Sequence, residues 1–303
     1  MLASIGHTDL VELRNVVPPG CGRVAVKLEW QNPTGSMKDR MAITAISRAE
    51  EDGRLTTGDT VVEYTGGSTG ASLAMVCAAK GYHIHIVSST AFSREKLAHI
   101  RAYGAELTLV PYDGRGITKQ VFLDMIEAAR KLTAEPHTWW ANQLENRDMA
   151  AGYEPIGDEA WHQTNGSINA FVQMVGTSHS LRGIATALRR HNPNVTVAAV
   201  EPAEQVLSGG QPGAHDIEGV GIGYVPPLYD ASIVDRAIAV STEEAKAMAR
   251  RLAREEGLFA GTSSGANVCA AIELGRALGP KAFVLTLMID SGLKYGSTDL
   301  YAQ

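Results

Sequence analysis

The sequence predicts an α/β fold built on mostly parallel sheet. Apolar strand-like runs alternate with helical patterns through most of the 303 residues. The intervening helices are long enough to serve as the crossovers that parallel strands need. With 45% hydrophobic residues the chain can bury a large core, and its length suits one large domain or two modest ones.

The elements follow in order. Residues 24–30 alternate as a strand, and 39–52 read as a helix stopped by Gly53. A strand at 60–64 leads to a small-residue helix, 71–80, stopped by Gly81. A strand at 83–87 precedes a helix that Ser93 can cap and that runs to Tyr103, with Gly104 at its end. A strand at 106–110 and a helix at 117–133 lead to a Trp-rich link and a helix near 148–163. A strand at 170–175 feeds a helix around 181–190, and 195–200 is another strand. Residues 202–227 are rich in Gly and Pro and read as a long functional loop. Helices at 242–256 and 266–278 and a buried strand at 282–289 complete the pattern.

Composition narrows the function. Charged residues make up 20% and alternate in sign, with a net charge of -6, so nothing attracts nucleic acid or an anionic membrane in bulk. No apolar stretch reaches the ~20 residues of a membrane span. Residues 1–9 lack the basic-then-apolar pattern of a signal peptide. Cys21, Cys77 and Cys269 form no close pair, so buried thiols are expected, with no disulfide framework and no metal site. A cytoplasmic protein with a small-molecule substrate fits these features.

Parallel α/β sheets place ligands at the carboxyl ends of their strands, and three strand-to-helix loops carry unusual sequences. The first is Asn32-Pro33-Thr34-Gly35-Ser36-Met37-Lys38-Asp39-Arg40. A helix start disfavours the cation of Lys38; the residue is either a solvated surface lysine or an imine formed with an aldehyde cofactor. The second is Thr65-Gly66-Gly67-Ser68-Thr69-Gly70. Its glycines admit close backbone approach and its helix offers free N–H groups to a carboxylate or a phosphate, although a plain glycine-rich turn would look the same. The third is Gly176-Thr177-Ser178-His179-Ser180, which either caps its helix or cradles an anion. Two anion cradles and one helix-start lysine suit a ligand bearing a phosphate together with an amino-acid carboxylate.

These segments, in this order, resemble the cysteine synthase and cystathionine β-synthase branch of fold-type II pyridoxal-phosphate enzymes. The likeness covers nearly the whole chain. Residues 5–10 are similar to the family's opening GNTPL, and 32–40 to its NPxGSxKDR, whose lysine binds the cofactor. Residues 65–70 resemble the substrate-carboxylate loop TSGNTG, Asn142-Gln143 the NQF whose glutamine helps bind that carboxylate, and 176–180 the phosphate loop GTGGT. Residues 218–226, 261–267 (GTSSGAN) and 290–298 (DSGLKYGST) also match, and in the last Ser291 takes the place of a serine facing the pyridine nitrogen.

The resemblance implies a tryptophan synthase β-like fold with pyridoxal 5'-phosphate between two α/β domains. A smaller, mobile domain would span 36–145, and a larger one 1–35 and 146–303, with an N-terminal crossover. The motifs nearly fill the chain, so no haem-binding extension or regulatory module is expected. It implies Lys38 as the catalytic and cofactor-bearing residue. Ser68, Gly176, Thr177, Ser178, His179, Ser180 and Ser291 would bind the cofactor, and Thr65, Gly66, Gly67, Thr69 and Gln143 the substrate. Two departures stand out: Ser68 replaces an asparagine expected at the cofactor's phenolic oxygen, and Ser178 and His179 replace two glycines of the phosphate loop.

The implied reaction is β-replacement on an activated serine, O-acetylserine first, by sulfide or a thiol, in a homodimer. Lys38 would take the α-proton. The alternatives are condensation of serine with homocysteine, a diaminopropionate-type synthesis, or a catalytically silent cofactor-binding homologue. Phosphoserine would call for a cation, and residues 218–226 contain none.

Overall fold

The computed structural model describes residues 1–112, 114, 118–204, 215–220 and 224–302. The chain begins with β1 (Leu10–Glu12), β2 (Arg23–Leu28), α1 (Lys38–Glu51), β3 (Thr60–Tyr64) and α2 (Ser68–Lys80). It continues through β4 (His83–Ser89), α3 (Arg94–Ala102), β5 (Glu106–Val110), α4 (Lys119–Leu132) and β6 (Thr138–Trp140). Then come α5 (Asp148–Ala151), α6 (Glu154–Gln163), β7 (Ala170–Met174), α7 (His179–His191) and β8 (Thr196–Pro202). The last elements are β9 (Arg236–Val240), α8 (Thr242–Arg251), α9 (Thr262–Leu278) and β10 (Phe283–Met288).

Among the described residues the strands form two sheets. The larger has the order β1-β2-β10-β7-β8-β9, and the smaller β5-β4-β3-β6. Every pairing is parallel except that of the edge strand β1 with β2. The α/β class with mostly parallel sheet is therefore what the alternating pattern predicted. Central strands of such sheets are covered on both faces and so read as continuous apolar runs. In β7 and β10, at the middle of the larger sheet, every residue is buried.

Several boundaries differ from the sequence reading, each for a local reason. Residues 29 and 30 leave the first predicted strand and join a 3-10 turn over Glu29–Gln31. The helix expected near 148–163 is two, α5 and α6, broken at Gly152–Tyr153. Gly152 packs on α1 so closely that a Cβ there would lie 2.7 Å from the Arg40 carbonyl oxygen. After Arg251 the expected helix 242–256 widens into a π turn over Leu252–Glu256. β1, β6 and β9, which are short or lie at a sheet edge, were not read from the sequence. α2, α7 and α9 start two to four residues earlier than their apolar patterns suggest, so hydroxyl residues form their first turns. The long loop expected at 202–227 lies partly outside the described residues, as does residue 117 of a predicted helix.

A buried charge cluster ties the N-terminal segment to α1 and α6. Lys27 Nζ donates to Glu159 Oε2 at 2.7 Å and to the Thr8 hydroxyl at 2.7 Å. The Thr8 hydroxyl in turn donates to Glu29 Oε1 at 2.7 Å. Arg40 bridges Glu29 and Glu159, each at 2.7 Å. Burial alone would raise the carboxyl of Glu159, but Arg40 and then Lys27 hold it at about 2. No helix among the described residues is long and apolar enough to cross a membrane.

Candidate active site

A cavity lies where the carboxyl ends of β3, β7 and β10 meet, bounded by Tyr64, Met174 and Ile289. Lys38, the first residue of α1, reaches it from the loop after β2. That loop is held by Thr34, whose amide and hydroxyl both donate to the Asp39 carboxylate (2.8 Å for the amide). The Lys38 ammonium has no hydrogen-bond acceptor among the described residues. Burial pushes it down to about 8; Asp290 opposes the shift and Lys96 adds to it. About a tenth is therefore the neutral amine at pH 7, far more than for an ordinary lysine, and this is the form that can attack a carbonyl or take a proton.

The loop after β3 supplies a second wall. Thr65, Gly66, Gly67, Ser68 and Thr69 all line the cavity. Gly67 takes φ +137, and a Cβ there would lie 2.6 Å from the side chain of Lys96, so the turn requires glycine. The first-turn amides of α2 have no acceptor within the helix and point toward its open end. Gln143 also lines the cavity. It accepts from the Thr69 hydroxyl at 2.9 Å and donates to the Tyr64 carbonyl at 2.7 Å. Its second amide hydrogen remains for a ligand. Beneath them buried Glu63 accepts from the backbone amides of Tyr64 and Gln143, each at 2.9 Å. Burial pushes Glu63 up to about 8.

The loop after β7 supplies a third wall, through Gly176, Thr177 and Ser180. Ser178 and His179 face away from this lining and are 4% and 2% exposed. Ser178 sits at φ 74, and its hydroxyl is buried with no partner. The open first-turn amides of the thirteen-residue helix α7, beside Gly176 and Thr177 on the lining, are a place for an anion. The left-handed backbone costs a non-glycine residue about 1–2 kcal/mol. Ser178→Gly is therefore expected to stabilise the cofactor-free protein by about 1 kcal/mol, read as a higher denaturant midpoint. A lower midpoint would mean that the serine packs better than its backbone suggests.

Other expected residues sit differently. Ser291 is not on the cavity lining: its hydroxyl accepts from the Leu293 amide at 3.2 Å and caps the turn Gly292–Tyr295. Of the serines in the last two matching motifs, Ser263, in the first turn of α9 and 2% exposed, is on the lining. Ser68 spends its proton on Asp290 Oδ2 at 3.2 Å, which also accepts from Tyr295. Lys96 and Glu218 are further cavity residues that the sequence did not reveal, paired at 2.6 Å and almost fully buried.

Lys38 as a nucleophilic amine and two helix N-termini as anion sites fit an aldehyde cofactor carrying a phosphate and an amino acid carrying a carboxylate. The fold and cavity thus define an enzyme of the pyridoxal-phosphate type. The pattern of the family described as pyridoxal-phosphate dependent enzyme matches residues 1–290, and the chain belongs to that family. A cysteine synthase of Staphylococcus aureus is 42% identical over 301 residues, which is 98% of this chain and 95% of that protein. The crystal structure of a cysteine synthase from Entamoeba histolytica superposes with a TM-score of 0.92 at 34% identity, covering 100% of this chain and 90% of that one. An O-acetylserine dependent cystathionine β-synthase from Helicobacter pylori gives 0.93 at 31% identity, covering 99% and 97%.

Proposed function

We propose that the protein makes cysteine by β-replacement, exchanging the acetate of O-acetylserine for sulfide. The observation that carries this reading is an ammonium lowered to about 8, enclosed in a cavity with two helix N-termini on its walls. Pyridoxal phosphate, when bound, supplies an aldehyde for covalent attachment and a conjugated sink for the α-carbon's electrons. The chain supplies the rest. Lys38 Nζ carries the cofactor and takes the α-proton as general base. The first-turn amides of α2, that of Thr69 among them, and the free amide hydrogen of Gln143 grip the amino-acid carboxylate and orient the α C–H bond toward Lys38, while the Thr69 hydroxyl holds the Gln143 amide in place. The phosphate occupies the 176–180 loop. Ser263 is the neutral hydroxyl available to the ring nitrogen, since it lines the cavity and Ser291 lies off that lining.

The donor is chosen by charge. Lys96 is a cation in the cavity wall, but Glu218 at 2.6 Å cancels it. A donor whose β-substituent is uncharged in the bound substrate, such as an acetyl ester, is favoured over a phosphate ester on that ground. The segment 36–145, which contains the smaller sheet, is proposed to move against the remainder during turnover, in a cytoplasmic homodimer. Incubation of the loaded protein with a mixture of sulfide and homocysteine and, separately, O-acetylserine, phosphoserine or serine tests the reading. Cysteine should form fastest from O-acetylserine. Faster formation from phosphoserine, or cystathionine from serine and homocysteine as the main product, would contradict it.

Gln143→Ala, which removes the free amide hydrogen, should raise KM for O-acetylserine by about 10-fold or more, since a hydrogen bond to a charged group is worth about 1.5–3 kcal/mol, and Thr69→Ala, which removes the hydroxyl that orients that amide, should raise it in the same direction. The cofactor's visible absorbance should stay unchanged. Unaltered KM in both variants would move the carboxylate elsewhere.

A further inference from the structure

His179 stands where the family resemblance expects a glycine, and its hydrogen bonds fix its proton. Its Nε2 lies 3.0 Å from the backbone carbonyl oxygen of Asn146, and its Nδ1 2.8 Å from Thr177 Oγ1. A carbonyl only accepts, so Nε2 carries the hydrogen. The ring is 2% exposed. Burial, with Lys38 and Arg182 nearby, holds its pKa at about 4, so it is neutral and Nδ1 accepts. Thr177 therefore donates its only proton inward and turns lone pairs toward the cavity it lines. Ser180 is the opposite case: its oxygen accepts from Gln173 at 2.9 Å, which leaves its proton for a ligand. The loop thus offers one hydroxyl donor and one hydroxyl acceptor, an arrangement a fully ionised phosphate does not match.

We propose that this loop binds the cofactor's phosphate together with one additional proton, shared along the line from a phosphate oxygen through Thr177 Oγ1 to His179 Nδ1. This rests on the phosphate occupying the 176–180 loop. In one arrangement a P–OH donates to Thr177 Oγ1, which donates to Nδ1. In the other, Nδ1–H of an imidazolium donates to Thr177 Oγ1, which donates to a phosphate oxygen. The two differ only in which atom each proton is bonded to. The second pKa of a phosphate monoester is about 6, so above that pH the proton comes from solvent.

The surrounding charges set the sign. Lys38 of α1 and Arg182 of α7 oppose a second proton on His179. Arg48, Arg147 and Glu154 share a surface cavity with it. Glu154 is held by Arg190, and Asp148 of α5 by Arg48 and Arg54, so neither acid is free to act as its counter-ion. The phosphate's negative charge is the one that would reverse the balance.

The test is magnetic resonance on the loaded protein, with nitrogen-labelled histidine and the phosphorus of bound pyridoxal phosphate. On loading, His179 Nδ1 should move toward the protonated position. The phosphorus signal should titrate together with that nitrogen. In Thr177→Val the phosphorus signal should no longer titrate with that nitrogen, and in His179→Gly, which leaves no imidazole to share the proton, it should stay at the dianion position at every pH above about 6. The proposal is overturned if Nδ1 responds to loading yet remains an unprotonated acceptor while the phosphorus signal of the parent is flat with pH. If the His179 signals ignore loading and the phosphorus signal ignores both substitutions, the phosphate is not in this loop, and the site reading beneath the proposal fails as well.

Discussion

Lys38→Ala is expected to leave a folded protein that no longer holds its cofactor covalently and turns over at least about 10²–10⁴-fold more slowly, from the lost proton transfer alone. Folding should survive because the Lys38 ammonium has no acceptor among the described residues and its charge is unfavourable at a helix start. The same residue predicts a pH dependence. An ammonium lowered to about 8 must lose its proton before it can attack an aldehyde. Capture of pyridoxal phosphate by cofactor-free protein should therefore accelerate about 10-fold per pH unit below 8 and level off above it. A capture rate still rising steeply beyond pH 9 would mean that burial does not depress this lysine. Stopped-flow absorbance reads both effects.

Glu159→Gln is expected to destabilise the fold by about 3–5 kcal/mol, the usual penalty for breaking a buried ion pair from one side. Glutamine keeps the shape but removes the charge that faces both Lys27 and Arg40, whose side chains are 0% and 4% exposed. Glu29 still pairs with Arg40, and Thr8 still accepts from Lys27, but the cluster keeps two cations against one carboxylate. The sign with pH follows from a folded-state value near 2, below that of the unfolded chain. The stabilisation is complete above the unfolded carboxyl's pKa and is lost as pH falls through about 2. Urea unfolding of parent and variant at neutral pH measures the difference. A loss under about 1 kcal/mol would class the cluster with exposed ion pairs.

What the sequence disclosed was local. The loops at 65–70 and 176–180 announce themselves because glycines and hydroxyls sit between an apolar run and a helical pattern, and Lys38 because its neighbours form one continuous segment. The missed features depend on distant chain. Lys96 reads as one more charge on an exposed helix, yet it is 3% exposed because the Gly67 turn packs on its stem and Glu218 reaches it from 122 residues away. Ser263 and Ser291 each lie in a matching motif. Only the bridge between Ala260 and Ser291, and the turn that follows Ser291, decide which hydroxyl reaches the cavity. The break between α5 and α6 is equally invisible in the helical pattern, because it is the carbonyl of Arg40 that excludes a side chain at Gly152.

The most direct test of the account is to reduce the loaded protein with borohydride, digest it, and locate the pyridoxyl group by mass spectrometry. The account predicts stoichiometric label on the peptide containing Lys38, and none on the peptides containing Lys96 or Lys294, the other buried lysines nearby. Label on either of those, or a protein that binds pyridoxal phosphate without any reducible bond, would contradict the assignment of this cavity.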